Sequence, residues 1–175
     1  MGKMAGNSWD YFRMEIEFIS GSPGFTFDIG KKLAGLLKAG DLLLFSGELG
    51  GGKTTFISGL AQGLGVAGDL SSPSFTIMNQ YDAGRLKLIH IDLYRLDGLV
   101  EFENIGLDEY IYDRRCIICI EWGEKAKDFV RKDYLMLDFE YILDDDSIDK
   151  RKIKIKAESP EWNKRLKKIE KALKQ

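Results

Sequence analysis

The stretch GELGGGKT, from Gly47 to Thr54, places four glycines ahead of a lysine and a threonine. The spacing Gly47-x-x-x-x-Gly52-Lys53-Thr54 is that of a phosphate-binding loop. In such a loop backbone amides cradle phosphates, and the helix that follows adds the positive end of its dipole. Side chains would obstruct that approach, hence the glycines. Lys53 is placed to reach the terminal phosphates, and the Thr54 hydroxyl to hold Mg²⁺. The expected nucleotide-binding stretch is Gly47, Glu48, Leu49, Gly50, Gly51, Gly52, Lys53, Thr54 and Thr55. At average glycine usage the pattern arises by chance in about 1% of chains this long. No Asn/Thr-Lys-x-Asp base-reading motif accompanies it, which favours ATP over GTP.

A phosphate loop that hydrolyses its nucleotide also needs a carboxylate for the metal and a group to orient water. Asp92 in LIHIDLYRL and Glu121 in CIICIEWGE each end an apolar run. Active sites of parallel sheets lie at the carboxyl ends of strands, so Lys53, Asp92 and Glu121 form the expected catalytic set. His90 shares a strand face with Asp92 and is read as structural. Trp122 is either core or packed beside the nucleotide. Cys116 and Cys119 form a C-x-x-C, but they lie in an apolar β-branched run. On a strand, residues three apart point to opposite faces, so the two thiols are expected in the core.

These groups need a scaffold. The alternation in Met14–Ile19 predicts a strand, SGSPG a turn, and Thr26–Lys38 a helix ended by Ala39-Gly40. Asp41–Ser46 reads as a buried parallel strand, and Lys53–Leu64 as the helix after the loop. A strand over Thr76–Gln80, turn chemistry at Asp82–Arg85 and a strand over Leu86–Tyr94 predict a hairpin. Short helices are expected at Val100–Asn104 and Leu107–Tyr112, a strand at Cys116–Glu121 and a helix at Glu124–Val130. Tyr134–Tyr141 and Lys152–Ala157 read as strands joined by the turn DDDSIDK. From Pro160, Trp162, Leu166, Ile169 and Leu173 form the stripe of an amphipathic helix. Strands alternating with helices predict an α/β fold with a mostly parallel, mixed sheet flanked by helices. The expected divisions are an N-terminal extension over 1–13, a P-loop domain over 14–158 and a basic C-terminal helix over 159–175.

Charge is unevenly placed along the 175 residues. Lys150–Gln175 hold eleven Lys/Arg against three Asp/Glu, while the first 149 residues hold 15 against 25. A basic tail on an acidic body suggests a surface for nucleic acid or an acidic partner. No apolar stretch approaches a membrane span, and the N-terminus lacks the apolar core of a signal peptide, so a cytoplasmic protein is expected.

A series of blocks then matches one family in order: FTFDIGKKLA, GDLLLFSGELGGGKTT, GLGV, SSPSFTIMNQY, IHIDLYRL, EFENIGLDEYI and IEWGEKA. Over about Thr26 to Ala126 the chain resembles the small bacterial P-loop ATPase family TsaE, also called YjeE. That family serves the threonylcarbamoyladenosine modification of tRNA beside the anticodon. The resemblance implies a P-loop NTPase fold and an Mg²⁺-dependent ATPase that partners the TsaD and TsaB proteins, with hydrolysis supporting their repeated turnover. It implies that Thr54 and Glu121 contact Mg²⁺, that Thr26 lies near the adenine, and that Trp122 supports the Glu121 loop. Asp92 and Thr76 would belong to switch-like segments around the γ-phosphate. Gly51 stands where the family usually has alanine, and Ser74 where it usually has threonine. The helix after Ser159 looks longer than the family core. Contact with tRNA would be indirect or through that basic helix.

Two other readings share the loop. A small-molecule kinase would close an arginine-bearing lid over its acceptor, and Arg114-Arg115 is the only arginine pair. A nucleotide-gated scaffold would need no water-positioning carboxylate, against which Asp92 and Glu121 both argue.

Overall fold

The computed structural model describes residues 14–96, 99–130, 133–142, 150–157 and 159–174. The expected N-terminal extension and most of DDDSIDK lie outside the described residues. Seven strands form one mixed sheet: β1 (Met14–Ser20), β2 (Leu42–Gly47), β3 (Met78–Ala83), β4 (Leu86–Asp92), β5 (Cys116–Glu121), β6 (Leu135–Tyr141) and β7 (Arg151–Ala157). Their order across the sheet is β1-β7-β6-β2-β5-β4-β3. The central strand β2 is parallel to both β5 and β6, and β4 is parallel to β5. The outer pairs β1/β7, β6/β7 and β3/β4 are antiparallel. Among the described residues no helix is long and apolar enough to cross a membrane.

The run CIICIE becomes β5 with both ends where the sequence puts them, buried along its whole length. One face of the sheet is covered by three helices: α1 (Pro23–Ala34), α2 (Lys53–Gly63) and α5 (Pro160–Leu173). The other is covered by α3 (Leu99–Asn104), α4 (Leu107–Ile111) and the segment after β5. Cys119 packs on the α1/α2 side and Cys116 on the other, the opposite-face placement that strand alternation requires. Burial pushes both thiols up from their ordinary value.

Several expected boundaries move. Helix α1 starts at Pro23 because Ser22 caps it, its hydroxyl accepting from the Phe25 amide at 3.1 Å, and proline suits the first helical position. It stops at Ala34, short of Lys38, whose amide instead donates to Asp41 Oδ2 at 2.7 Å. The hairpin strands are Met78–Ala83 and Leu86–Asp92, turning at Gly84 with φ 69°. In place of a helix over 124–130 there is one 3₁₀ turn, Gly123–Ala126. A Cβ on Gly123 would lie 2.6 Å from Leu44 Cβ, so the chain leaves β5 pressed against β2.

Helices α1 and α2 meet backbone to backbone. A Cβ on Gly59 would sit 1.9 Å from the Phe27 carbonyl oxygen, and one on Gly30 2.1 Å from the Phe56 oxygen. No side chain can relax those contacts, because the obstacle is main chain. Helix α5 docks on this layer through Trp162, Leu166, Ile169 and Leu173, which join the same core as Ile153 and Ile155. Arg165 on α5 clamps Asp41 with both terminal nitrogens, at 2.7 and 2.5 Å. Gly59→Ala is expected to destabilise the chain by about 1–3 kcal/mol, in the range of core overpacking. Gly21→Ala, where an added Cβ meets nothing within 4 Å, is expected to change stability by less than ~0.5 kcal/mol. Urea denaturation of the two variants beside the parent chain checks both.

Candidate functional site

The phosphate loop joins β2 to α2 and is shaped by its own chain. Gly47, Gly50 and Gly52 have φ of 120°, 76° and 104°, values that other residues avoid. The loop's carbonyls are engaged by donors of this protein. Lys53 Nζ donates to the Gly47 and Glu48 oxygens at 2.6 and 2.9 Å. The Gly51 amide donates to the Glu48 oxygen at 3.1 Å, and the Tyr141 hydroxyl to the Leu49 oxygen at 3.0 Å. Helices α1 and α5 are capped by serine hydroxyls, whereas α2 begins at Gly52 with no side-chain cap. The first amides of a helix have no intrahelical acceptor, so those of α2 open onto the loop as anion donors.

Strand register brings the carboxylates to this loop. Phe45 is opposite Glu121, and Glu121 is opposite Asp92. All three therefore end at one level, on the face that α2 covers. Glu121 Oε1 accepts from the Thr54 hydroxyl at 2.7 Å and lies 2.9 Å from His90 Nε2. Asp92 Oδ2 accepts from the Ser74 hydroxyl at 2.6 Å, and Oδ1 from the Tyr94 amide at 2.9 Å. Lys53 is 4% exposed, and its ammonium lies 4.5 Å from the centre of the Trp122 ring. Burial pulls the Lys53 ammonium below its ordinary value, opposed by the charges of Glu121, Glu124 and Asp92. A bound polyphosphate would add negative charge beside a cation that burial penalises.

One cleft holds Leu49 to Thr55 with Ser72, Ser74, Asp92, Glu121 and Trp122. Most of the residues the sequence singles out thus converge. Thr26 lies against the loop without opening into it: it is buried, its hydroxyl is 2.7 Å from Ser20 Oγ, and its methyl would be 3.5 Å from a Cβ on Gly52. Thr76 is exposed and donates to Asn79 Oδ1 at 2.8 Å, so Ser74 is the hydroxyl that reaches Asp92. His90 is fully buried on Glu121, a stronger role than its lone position suggested. The readable signal was its two-residue spacing from Asp92 on a shared strand face.

Among the described residues two that are not glycine take left-handed backbone, and both flank the cleft. Ile77, at φ 66°, follows the Ser74 segment, and Trp122, at φ 58°, follows Glu121. For a β-branched residue such as Ile77 this is an outlier, held here by hydrogen bonds on both sides. Its amide donates to the Pro73 oxygen at 2.6 Å, and its carbonyl accepts from the Asp92 amide at 2.9 Å.

The donor set suits a hard cation. A hydroxyl and a carboxylate, Thr54 and Glu121, already touch, and Mg²⁺ favours oxygen ligands supplied by one or two protein groups together with phosphates. Among the described residues no group of three or more His, Cys, Asp or Glu is placed to hold a metal alone.

Comparisons with known proteins place the chain among its relatives. The family model for "Threonylcarbamoyl adenosine biosynthesis protein TsaE" matches residues 21–153. A Streptomyces coelicolor tRNA threonylcarbamoyladenosine biosynthesis protein TsaE is 38% identical over 138 residues, 77% of this chain and 92% of that protein. The Bacillus subtilis protein of the same name is 38% identical over 125 residues, 71% of this chain and 77% of its own. The crystal structure of Bacillus subtilis YdiB superposes with a TM-score of 0.74 at 29% identity, over 91% of this chain and 96% of that one.

The His90 contact makes a testable demand. His90→Leu removes a donor from a buried carboxylate and is expected to cost about 1–3 kcal/mol of stability. His90→Gln, whose amide nitrogen reaches about as far as Nε2, is expected to recover most of that stability in urea melts.

Proposed function

The chain belongs to the TsaE family, and on that premise we propose that it binds ATP with Mg²⁺ and hydrolyses it in support of tRNA threonylcarbamoyladenosine formation. The observation that supports this best is the Thr54–Glu121 hydrogen bond at the mouth of the phosphate loop. It brings the two oxygen ligands expected for Mg²⁺ together at the helix N-terminus that would face the phosphates. Bound Mg²⁺ would neutralise charge on the phosphate oxygens.

The remaining roles fall to this chain's own groups. The amides of Gly50 to Thr55 would hold the phosphates, and Lys53 would leave the Gly47 and Glu48 carbonyls for the terminal phosphate. Asp92, anchored by Ser74 and the Tyr94 amide, would orient the attacking water. Trp122 would wall the cleft and keep Lys53 desolvated. Thr26 would act from behind Gly52 and bear on the base side only through the loop. The extension over 1–13, the P-loop domain over 14–158 and the helix over 159–175 are the proposed divisions, and the cytoplasm the proposed compartment. The proposed partners are TsaD and TsaB, the pair that transfers the threonylcarbamoyl group, with this chain acting as their ATPase.

Phosphate release from ATP by this chain, alone and with TsaD and TsaB added, tests the reading. Slow release that rises sharply with the pair is expected. Release that ignores the pair would return the kinase and scaffold readings to contention. Glu121→Ala is expected to lower hydrolysis by about 10²-fold or more, the scale of removing one charge-positioning group, while ATP still binds. Equal hydrolysis by Glu121→Ala and the parent chain would overturn the metal assignment.

A further inference from the structure

The C-terminal excess of positive charge divides in two when the chain folds. On β7, Lys152, Lys154 and Lys156 meet acids of both neighbouring strands: Glu17 at 3.6 Å, Glu140 at 2.6 Å and Asp138 at 2.5 Å. That sheet face balances itself. Helix α5 does not. Arg165 turns inward to Asp41, and Lys174 pairs with Glu170 at 2.6 Å. Lys164, Lys167, Lys168 and Lys171 are all exposed, and among the described residues none of the four has an ion-pair partner. Spaced at i, i+3, i+4 and i+7, they share one face and climb about 10 Å along the helix.

We propose that this lysine face of α5 binds RNA through its phosphate backbone. Three alternatives fit less well. The apolar stripe of α5 is buried against α1, β1 and β7, so the helix has no apolar face left to lay into a bilayer. Lysine is depleted from protein–protein interfaces, and this face exposes no aromatic anchor for a protein partner. A solvated helix without a partner would be expected to mix its charges, whereas the acids of α5 are only Glu161 in the first turn and the paired Glu170. The acidic body repels a polyanion elsewhere, which confines binding to this side. Exposed Lys31 and Lys32 at the end of α1 lie on the same side of the sheet and add to its field. The choice of RNA among polyanions rests on the proposed role in tRNA modification.

The test uses the full chain without nucleotide and an unmodified tRNA transcript as probe, followed by fluorescence anisotropy from 50 to 200 mM salt. In the test variant Lys164, Lys167, Lys168 and Lys171 are all replaced by glutamine, which keeps helix propensity at exposed positions. The expected result is at least tenfold weaker binding at the lowest salt and a log K against log salt slope shallower by about 3, since each phosphate left unneutralised removes roughly 0.7–0.9 from the slope. Arginine at the same four positions is expected to keep both affinity and slope. ATP hydrolysis without RNA is expected to be unchanged in either variant. Unchanged affinity and slope in the glutamine variant would overturn the proposal, as would no binding of the transcript by the parent chain. Poly-glutamate displacing the RNA at equal charge would overturn it in favour of an acidic protein surface. Because no ATP is present, failure here leaves the hydrolysis reading intact, and inactivity of the site leaves this result standing.

Discussion

Parallel pairing of β2, β5 and β4 fixes where the chain's charged groups can stand. With Phe45 opposite Glu121 and Glu121 opposite Asp92, the three strands end together on the face beneath α2. A slip of one residue in β5 would turn Glu121 to the other face and put Ile120 beneath Thr54. The loop, the helix start and both carboxylates are thus positioned by one ladder of backbone hydrogen bonds. The apolar residues of β2 and β5 enforce that register, because Leu43 and Cys119 must face one cluster and Leu44 and Ile120 the other.

Around this ladder, polar groups are tied in a chain that crosses the cleft. His90 and Thr54 converge on Glu121, Ser74 and the Tyr94 backbone on Asp92, and Lys53 spans Gly47, Glu48 and the Trp122 ring. Buried charges are stable only when so partnered. The same partners set the direction of each side chain, so one arrangement serves both folding and the site.

Much of this was legible in the residues. The uninterrupted run ending at Glu121 has one reading, and strand alternation separated the two cysteines without any structure. The glycine spacing located the loop, and the serine–proline start located α5. What was illegible depends on contacts between distant segments. Periodicity allowed a helix over 124–130, but Trp122 turns left-handed and Gly123 is pressed on Leu44, leaving one 3₁₀ turn. Within SSPSFT nothing in the residue types says which hydroxyl meets Asp92; the left-handed turn at Ile77 decides for Ser74. The basic tail read as one feature because sequence cannot show that the acids of β1 and β6 flank β7.

The glycine contacts between α1 and α2 have a thermodynamic meaning for the loop above them. With Gly59 seated against the Phe27 carbonyl and the Leu49 carbonyl held by Tyr141, the loop gives up its conformational freedom when the chain folds. An incoming anion then meets amides already aimed, and little of its interaction energy is diverted to ordering main chain. Affinity at this end of the sheet is in that sense stored during folding, in the absence of two β-carbons at positions outside the cleft, Gly30 and Gly59.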